Sequence, residues 1–242
     1  MFGIKKLFSS EEEPPVTTAI IVAAGSGKRM GTEIRKQFLT LFGRPVLSHT
    51  IEAVEKCNLV GSIIIVTNEE DILTVKDIVS SAACEKVSAI VAGGATRAQS
   101  VRNGLNELPK DTEIVLIHDG VRPVVAESLI ENVIMDARKH GAAALGVKIK
   151  DTIKTVDKDG FIAETLDREK MVAIQTPQCF QYDIIKRAYE NFSADATDDC
   201  SLVETLGERI KITEGSYTNI KLTTKEDMAI LSRLIELNYE DE

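Results

Sequence analysis

Short apolar runs alternate with segments of helical period along most of this chain. Thr17 to Ala23 is a continuous apolar run ending at glycines, as expected of a strand covered on both faces. Pro45 to Cys57 places Val46, Leu47, Thr50, Ile51 and Val54 on one side of a helix. Gly61 to Thr67 (GSIIIVT) is β-branched and apolar, a second buried strand. A helix is expected over Glu69 to Ser80, a strand over Val87 to Val91, and a helix over Thr96 to Leu108, stopped by Pro109. Glu113 to His118 (EIVLIH) reads as another strand, Glu127 to His140 as a helix capped by Gly141, and Ala142 to Ile149 as a further strand. This rhythm predicts an α/β fold, a Rossmann-like, mostly parallel sheet flanked by helices on both faces. Ligands of such sheets bind beyond the carboxyl ends of the strands.

The rhythm breaks between Lys150 and Ala173. Alternating Thr, Ile and Val surround the turn residues Asp157-Lys158-Asp159-Gly160, which predicts an inserted β-hairpin arm over 150–173. An arm of this kind has little core of its own, so we expect it to pack against a second copy and build a homodimer. Helices are then expected near Tyr182 to Phe192 and Asp198 to Leu206, strands at Arg209 to Thr213 and Asn219 to Thr223, and a last helix from Thr224. Residues 16–242 read as one domain including the arm. Residues 1–15, ending Glu11-Glu12-Glu13-Pro14-Pro15, read as a flexible tail.

Composition narrows the function. The 242 residues suffice for one substantial core, with 43% hydrophobic and 28% charged positions, the balance of an ordinary globular domain. A formal net charge of -9 argues against a nonspecific grip on nucleic acid, which needs a basic face. It leaves room for a small anionic substrate held by a local cluster of cations. The longest apolar runs are strand-length, so no membrane partner is expected. Cys57, Cys84, Cys179 and Cys200 are scattered without CxxC spacing and read as reduced thiols of a cytoplasmic protein.

The chemistry starts directly after the first strand, at Ala23-Ala24-Gly25-Ser26-Gly27-Lys28-Arg29-Met30-Gly31. Gly25 and Gly27 permit the close approach that lets successive N–H groups face phosphate oxygens. A P-loop needs glycine where Val22 stands and Ser or Thr where Arg29 stands. The dinucleotide fingerprint needs its third glycine at Met30. Neither motif is met. What remains is G-x-G-x-R-M followed by Lys36, two cations beside a phosphate loop, suited to the charge that spreads over a phosphoryl transition state.

Further motifs follow in order: Gly93-Gly94-Ala95-Thr96-Arg97-Ala98-Gln99-Ser100, His118-Asp119-Gly120-Val121-Arg122-Pro123, Lys150-Asp151-Thr152-Ile153-Lys154, Gln175-Thr176-Pro177-Gln178, Thr197-Asp198-Asp199 and Thr218-Asn219-Ile220-Lys221-Leu222-Thr223. From Thr17 to near the C-terminus the chain resembles the nucleotide-diphospho-sugar transferase superfamily, and within it the 2-C-methyl-D-erythritol 4-phosphate cytidylyltransferases of the non-mevalonate isoprenoid pathway. The resemblance implies that Ala23, Ala24, Gly25 and Gly27 hold the triphosphate of CTP, with Arg29 and Lys36 the main transition-state cations. It implies that Gly93, Gly94 and Ser100 read the cytosine, that Asp119 offers oxygen to Mg²⁺, and that Arg122, Thr176, Thr197 and Lys221 bind the acceptor phosphate. Lys221 would also serve catalysis, and Thr152 and Arg168 would arrive from the partner's arm. His118 we read as a packed structural histidine, because a phosphate monoester already attacks as a nucleophile near neutral pH. Some relatives carry a second acidic residue before the Asn-Ile-Lys motif. Here Ser216-Tyr217-Thr218 stands there, which leaves Asp119 as the metal-site carboxylate.

Two rivals share the same motifs. A ribitol-5-phosphate cytidylyltransferase would be expected to open with A-G-G where this chain has Ala23-Ala24-Gly25. A non-catalytic nucleotide-binding protein would be expected to lack Arg29, Lys36 or Asp119, and all three are present.

Overall fold

The computed structural model describes residues 13–25, 34–190 and 196–240, the last three without their side chains. Strands β1 (Thr17–Val22), β4 (Val60–Thr67), β5 (Val87–Ala92), β6 (Ile114–Asp119), β7 (Ala142–Lys148), β10 (Val172–Gln181) and β11 (Lys211–Glu214) form one seven-stranded sheet in the order β11-β7-β10-β6-β1-β4-β5. Each β1 neighbour runs parallel to it, with Val22 opposite both Val66 and Asp119, so these strands end at one edge.

Strict alternation along the strands feeds two cores. Ala19, Ile21, Ile63, Ile65, Ile114 and Leu116 face helices α1 (Val46–Glu55), α2 (Ile72–Ser81) and α4 (Glu127–His140). Ile20, Ile64, Val66, Val115 and Ile117 face α3 (Arg97–Leu105), α5 (Tyr182–Glu190) and α6 (Asp199–Glu204). Full burial of each large aliphatic side chain is worth roughly 1.5–3 kcal/mol, which explains why the run Ile63-Ile64-Ile65 is apolar on both faces. Helix α4 ends as expected: Gly141 turns at φ 92 and its N–H reaches the Ala137 carbonyl at 2.8 Å. A smaller cluster of Leu41, Val46, Val121, Leu222, Leu231 and Ile235 seats the last helix, α7 (Lys225–Glu240), on the loop after β6.

Three features differ from the sequence reading. First, β10 is a ten-residue strand where the sequence shows only the Gln175-Thr176-Pro177-Gln178 motif, and it lies antiparallel between β6 and β7. Its ladder slips between Ile174 and Gln178, and Pro177 falls in that irregularity, where its missing N–H costs no ladder bond. Second, Asn219 to Thr223 is not a strand. Its peptide groups are used elsewhere: the Asn219 carbonyl accepts from Arg122, the Leu222 N–H donates to Val121, and the Thr223 N–H donates to Asp227. Third, the short strands β2 (Thr40–Leu41) and β3 (Arg44–Pro45) form a hairpin whose turn places Phe42 and Gly43 at positive φ.

The arm is a hairpin of β8 (Lys154–Val156) and β9 (Ile162–Thr165). The Asp157 carboxylate accepts from the N–H groups of Asp159 and Phe161, and Gly160 takes φ 87, so the expected turn residues make the turn. Every residue of both strands is exposed, and Val156, Phe161 and Ile162 remain 64–72% accessible. Val172 and Ala173, expected in the arm, already pair with β7. The four cysteines are free thiols. Among the described residues no helix is long and apolar enough to cross a membrane.

Candidate active site

The parallel strands deliver their following residues to one edge of the sheet. The Ala23 N–H bonds the Val66 carbonyl at 2.7 Å, Gly93 bonds Thr67 at 2.6 Å, and Gly120 bonds Val22 at 2.9 Å. The start of the expected loop (Ala23 to Gly25), Gly94 and Asp119 therefore border one open cavity of about 480 Å³. Ala23, Ala24, Gly25, Lys36, Gly94, Ser100, Asp119 and Lys221, all named from sequence, line it together. Gly27 and Arg29 lie outside the described residues.

Buried Gln37 tethers the start of the loop, its amide donating to the carbonyls of Ala23 at 2.7 Å and Gly25 at 3.3 Å. Beside it Lys36 donates to the Leu222 carbonyl at 3.0 Å, which brings the Asn-Ile-Lys motif to the same wall. Opposite, the N-terminus of α3 borders the cavity with its positive dipole end, its Thr96 cap accepting the Gln99 N–H at 3.1 Å. The glycine pair is sterically required. A Cβ on Gly93 would stand 2.7 Å from Ala24 Cβ and 2.8 Å from Ser100 Oγ, and one on Gly94 would overlap the Gln99 side chain. Ser100 donates its hydroxyl to the Thr96 carbonyl and accepts from the Gly94 N–H at 3.1 Å, so it shapes the turn as well as lining the cavity.

Asp119 is 6% exposed and sits among three cations. Lys221 Nζ lies 2.8 Å and Arg122 Nε 3.6 Å from its Oδ2, and Arg97 Nε lies 3.5 Å from its Oδ1. Burial raises the carboxyl pKa, but Lys221, Arg97 and Arg122 outweigh it and hold the group well below the usual carboxylate range. Arg97 was not singled out from sequence. Its Nη2 lies 2.7 Å from Oδ2 of the fully buried Asp199, an ion pair whose N–H is not aligned for a hydrogen bond. Burial opposes its charge, yet Asp199 and Asp119 together raise its pKa above the ordinary arginine value. Asn68, half-buried after β4, also lines the cavity and was missed.

Behind the cations runs a buried hydrogen-bond chain that fixes a tautomer. His118 Nε2 faces the Arg122 carbonyl at 3.2 Å, an acceptor only, so Nε2 carries the proton. Nδ1 then accepts from the Thr176 hydroxyl at 3.1 Å, and that oxygen in turn accepts the Asp119 N–H at 3.1 Å. Burial, only partly opposed by Asp119, pushes the imidazole down to about 4, so it is neutral at physiological pH. The geometry is that of a packed histidine rather than a base.

The acceptor-side residues are dispersed. Arg122, 9% exposed, donates to the Asn219 carbonyl at 2.7 Å, and burial lowers its pKa. Thr176 is buried in the His118 chain and does not line the cavity. Thr197 borders a separate hollow of about 720 Å³ with Ile174, Arg209 and Ile212. Thr152 and Arg168 are exposed on the arm, where Arg168 donates to the Lys150 carbonyl at 2.8 Å.

The model of the 2-C-methyl-D-erythritol 4-phosphate cytidylyltransferase family matches residues 17–236. The chain belongs to this family. A cytidylyltransferase of that name from Desulforamulus reducens is 46% identical over 218 residues, covering 88% of this chain and 93% of the relative. One from Clostridium novyi is 45% identical over 218 residues, covering 88% and 94%. The crystal structure of 4-diphosphocytidyl-2C-methyl-D-erythritol synthase from Anaerococcus prevotii is similar at a TM-score of 0.82 and 35% identity, covering 92% of this chain and 97% of that one. In this cytidylyltransferase chain the matched span includes the whole cavity wall. Among the described residues there is no group of three or more His, Cys, Asp or Glu able to hold a metal ion. Among the described residues Asp119 is the one carboxylate on the cavity wall.

Proposed function

We propose that this chain transfers the cytidylyl group of CTP to 2-C-methyl-D-erythritol 4-phosphate, giving 4-diphosphocytidyl-2-C-methyl-D-erythritol and pyrophosphate, in the non-mevalonate isoprenoid pathway. The observation that carries this reading is the cavity at the strand ends, where Lys36 and Lys221 line one space with Ala23 to Gly25, Gly94 and Asp119. The Gly25 loop and the N-terminus of α3 cradle the triphosphate. The turn at Gly93-Gly94 admits a pyrimidine edge closely and leaves no room for a purine. Lys36, with Arg29, stabilises charge building on the α-phosphate as the acceptor phosphate attacks in line and pyrophosphate leaves. Mg²⁺, bound through the phosphates and Asp119, would supply further charge neutralisation there.

No general base enters, since the attacking phosphate oxygen is already anionic and His118 has no proton-accepting site left: Nδ1 is engaged by Thr176. Lys221 leaves Asp119 for the acceptor phosphate, assisted by Arg122 and Thr197, while Thr176 contributes from behind by holding His118 and the Asp119 N–H. Thr152 and Arg168 complete the acceptor site from a second copy. The uncovered apolar tip of the arm, Val156, Phe161 and Ile162, supports a homodimer built through the arm. We place the enzyme in the cytoplasm. The test is pyrophosphate release from CTP with methylerythritol phosphate and with ribitol 5-phosphate, side by side. Faster turnover with ribitol 5-phosphate would replace the proposed substrate.

A further inference from the structure

Arg97 joins two buried carboxylates from distant parts of the chain. It contacts Asp119 at the end of β6 through Nε and Asp199 at the start of α6 through Nη2, at 3.5 and 2.7 Å. Asp199 is 0% exposed, and its Oδ1 accepts the Tyr189 hydroxyl at 2.5 Å. A carboxylate without solvent persists only when it is paired, and Arg97 and Tyr189 are the partners it finds among the described residues. Thr197 lies two residues earlier, directly before the Asp198 cap of α6. Arg97 itself lines the nucleotide cavity.

The three cations on Asp119 are not equivalent. Arg122 is also held by the Asn219 carbonyl and Arg97 by Asp199, whereas among the described residues the one ion pair of Lys221 is with Asp119. The Lys221 side chain is also the most exposed of the three, at 35% against 27% for Arg97 and 10% for Arg122. We propose that Arg97 is a positioning residue for the acceptor side of the site: it holds the segment of Thr197 and Asp199 against the nucleotide cavity. By occupying Asp119 Oδ1 it also leaves Lys221 free to exchange from Oδ2 to a substrate phosphate. Without Arg97 two things change together. Asp199 loses its counter-charge, so the start of α6 shifts, and Asp119 holds Lys221 more firmly. This inference rests on the proposed cytidylyl transfer and extends it to the coupling between the two substrate sites.

The experiment measures initial rates against CTP and methylerythritol phosphate, with melting temperatures, for the full-length wild type and for Arg97→Lys, Arg97→Gln, Asp199→Asn, Tyr189→Phe and the double variant Arg97→Gln/Asp199→Asn. Wild type that releases no pyrophosphate with either polyol phosphate would remove the underlying reading; the variants are judged against an active wild type. Arg97→Gln is expected to raise the acceptor KM roughly tenfold or more, a typical coupling between sites, while the CTP KM stays within about threefold. Arg97→Lys recovers part of that loss, and Tyr189→Phe moves the acceptor KM the same way by less. Asp199→Asn adds little in the Arg97→Gln background, because both act through one contact. Variants that melt earlier with both KM values unchanged overturn the proposal, as does a CTP KM that rises as much as the acceptor KM. Should Arg97→Gln fail to fold, Arg97→Lys and Tyr189→Phe carry the same discrimination.

Discussion

Replacing His118 with Gln tests the buried hydrogen-bond chain behind Asp119 through its pH dependence. In the folded protein the imidazole is neutral down to about 4, because burial opposes its charge, while in the unfolded chain it titrates at its ordinary 6.5. As pH falls through this window the unfolded state takes up a proton that the folded state refuses, so stability must fall with pH. Each pH unit between the two values is worth about 1.4 kcal/mol, which bounds the whole contribution at about 3 kcal/mol. Between pH 7 and pH 5 the expected loss from this residue alone is about 2 kcal/mol. For a domain of this size that corresponds to about 4–8 °C in melting temperature. The assay is denaturant unfolding at pH 7 and pH 5, with chelator present so that no divalent ion binds Asp119. His49, whose pKa burial also lowers, contributes with the same sign in both proteins, so the difference between wild type and His118→Gln isolates His118. The variant starts less stable but should lose about 2 kcal/mol less over this interval. Parallel pH dependences in the two proteins would refute a buried neutral imidazole and the tautomer deduced from it.

Other outcomes follow from the same site. Lys36→Ala and, separately, Arg29→Ala should each lower kcat by about two orders of magnitude, as when a preorganised charge donor is lost, and steady-state kinetics with CTP would show it. Asp119→Asn leaves Lys221, Arg122 and Arg97 without their shared carboxylate, and should cost about 3–5 kcal/mol in denaturant unfolding at pH 7. Because the folded carboxyl sits below its ordinary range, that difference should persist above about pH 4 and shrink as pH falls further. Charged replacements at Phe161 and Ile162 on the arm should convert a dimeric sedimentation mass to a monomeric one, since these side chains have no core to leave within their own chain.

Much of the site was legible because its parts follow strands. A buried strand announces itself by a local run of apolar residues, and the chemistry of an open parallel sheet gathers where such runs stop. Ala23 to Gly25, Gly93-Gly94 and Asp119 each directly follow or end such a run, and the structure brings them to one edge. Arg97 was hidden for a physical reason. It begins a helix whose pattern gives no hint of the direction of a long side chain, and its partners Asp119 and Asp199 come from other elements.

The sequence by itself determined the order and type of nearly every element, the hairpin turn of the arm and the cap at Gly141, because these depend on residues a few positions apart. Only the tertiary structure decided the rest. It inserted β10 in reverse between β6 and β7, a position that a polar stretch with Pro177 gave no reason to expect. It dissolved the expected strand at 219–223 by turning its peptide groups toward Arg122, Val121 and Asp227. It joined Lys36 to Leu222 across 186 positions and clustered three cations on one carboxylate. Such contacts depend on which surfaces meet after the sheet has formed, and no local period in the chain encodes that.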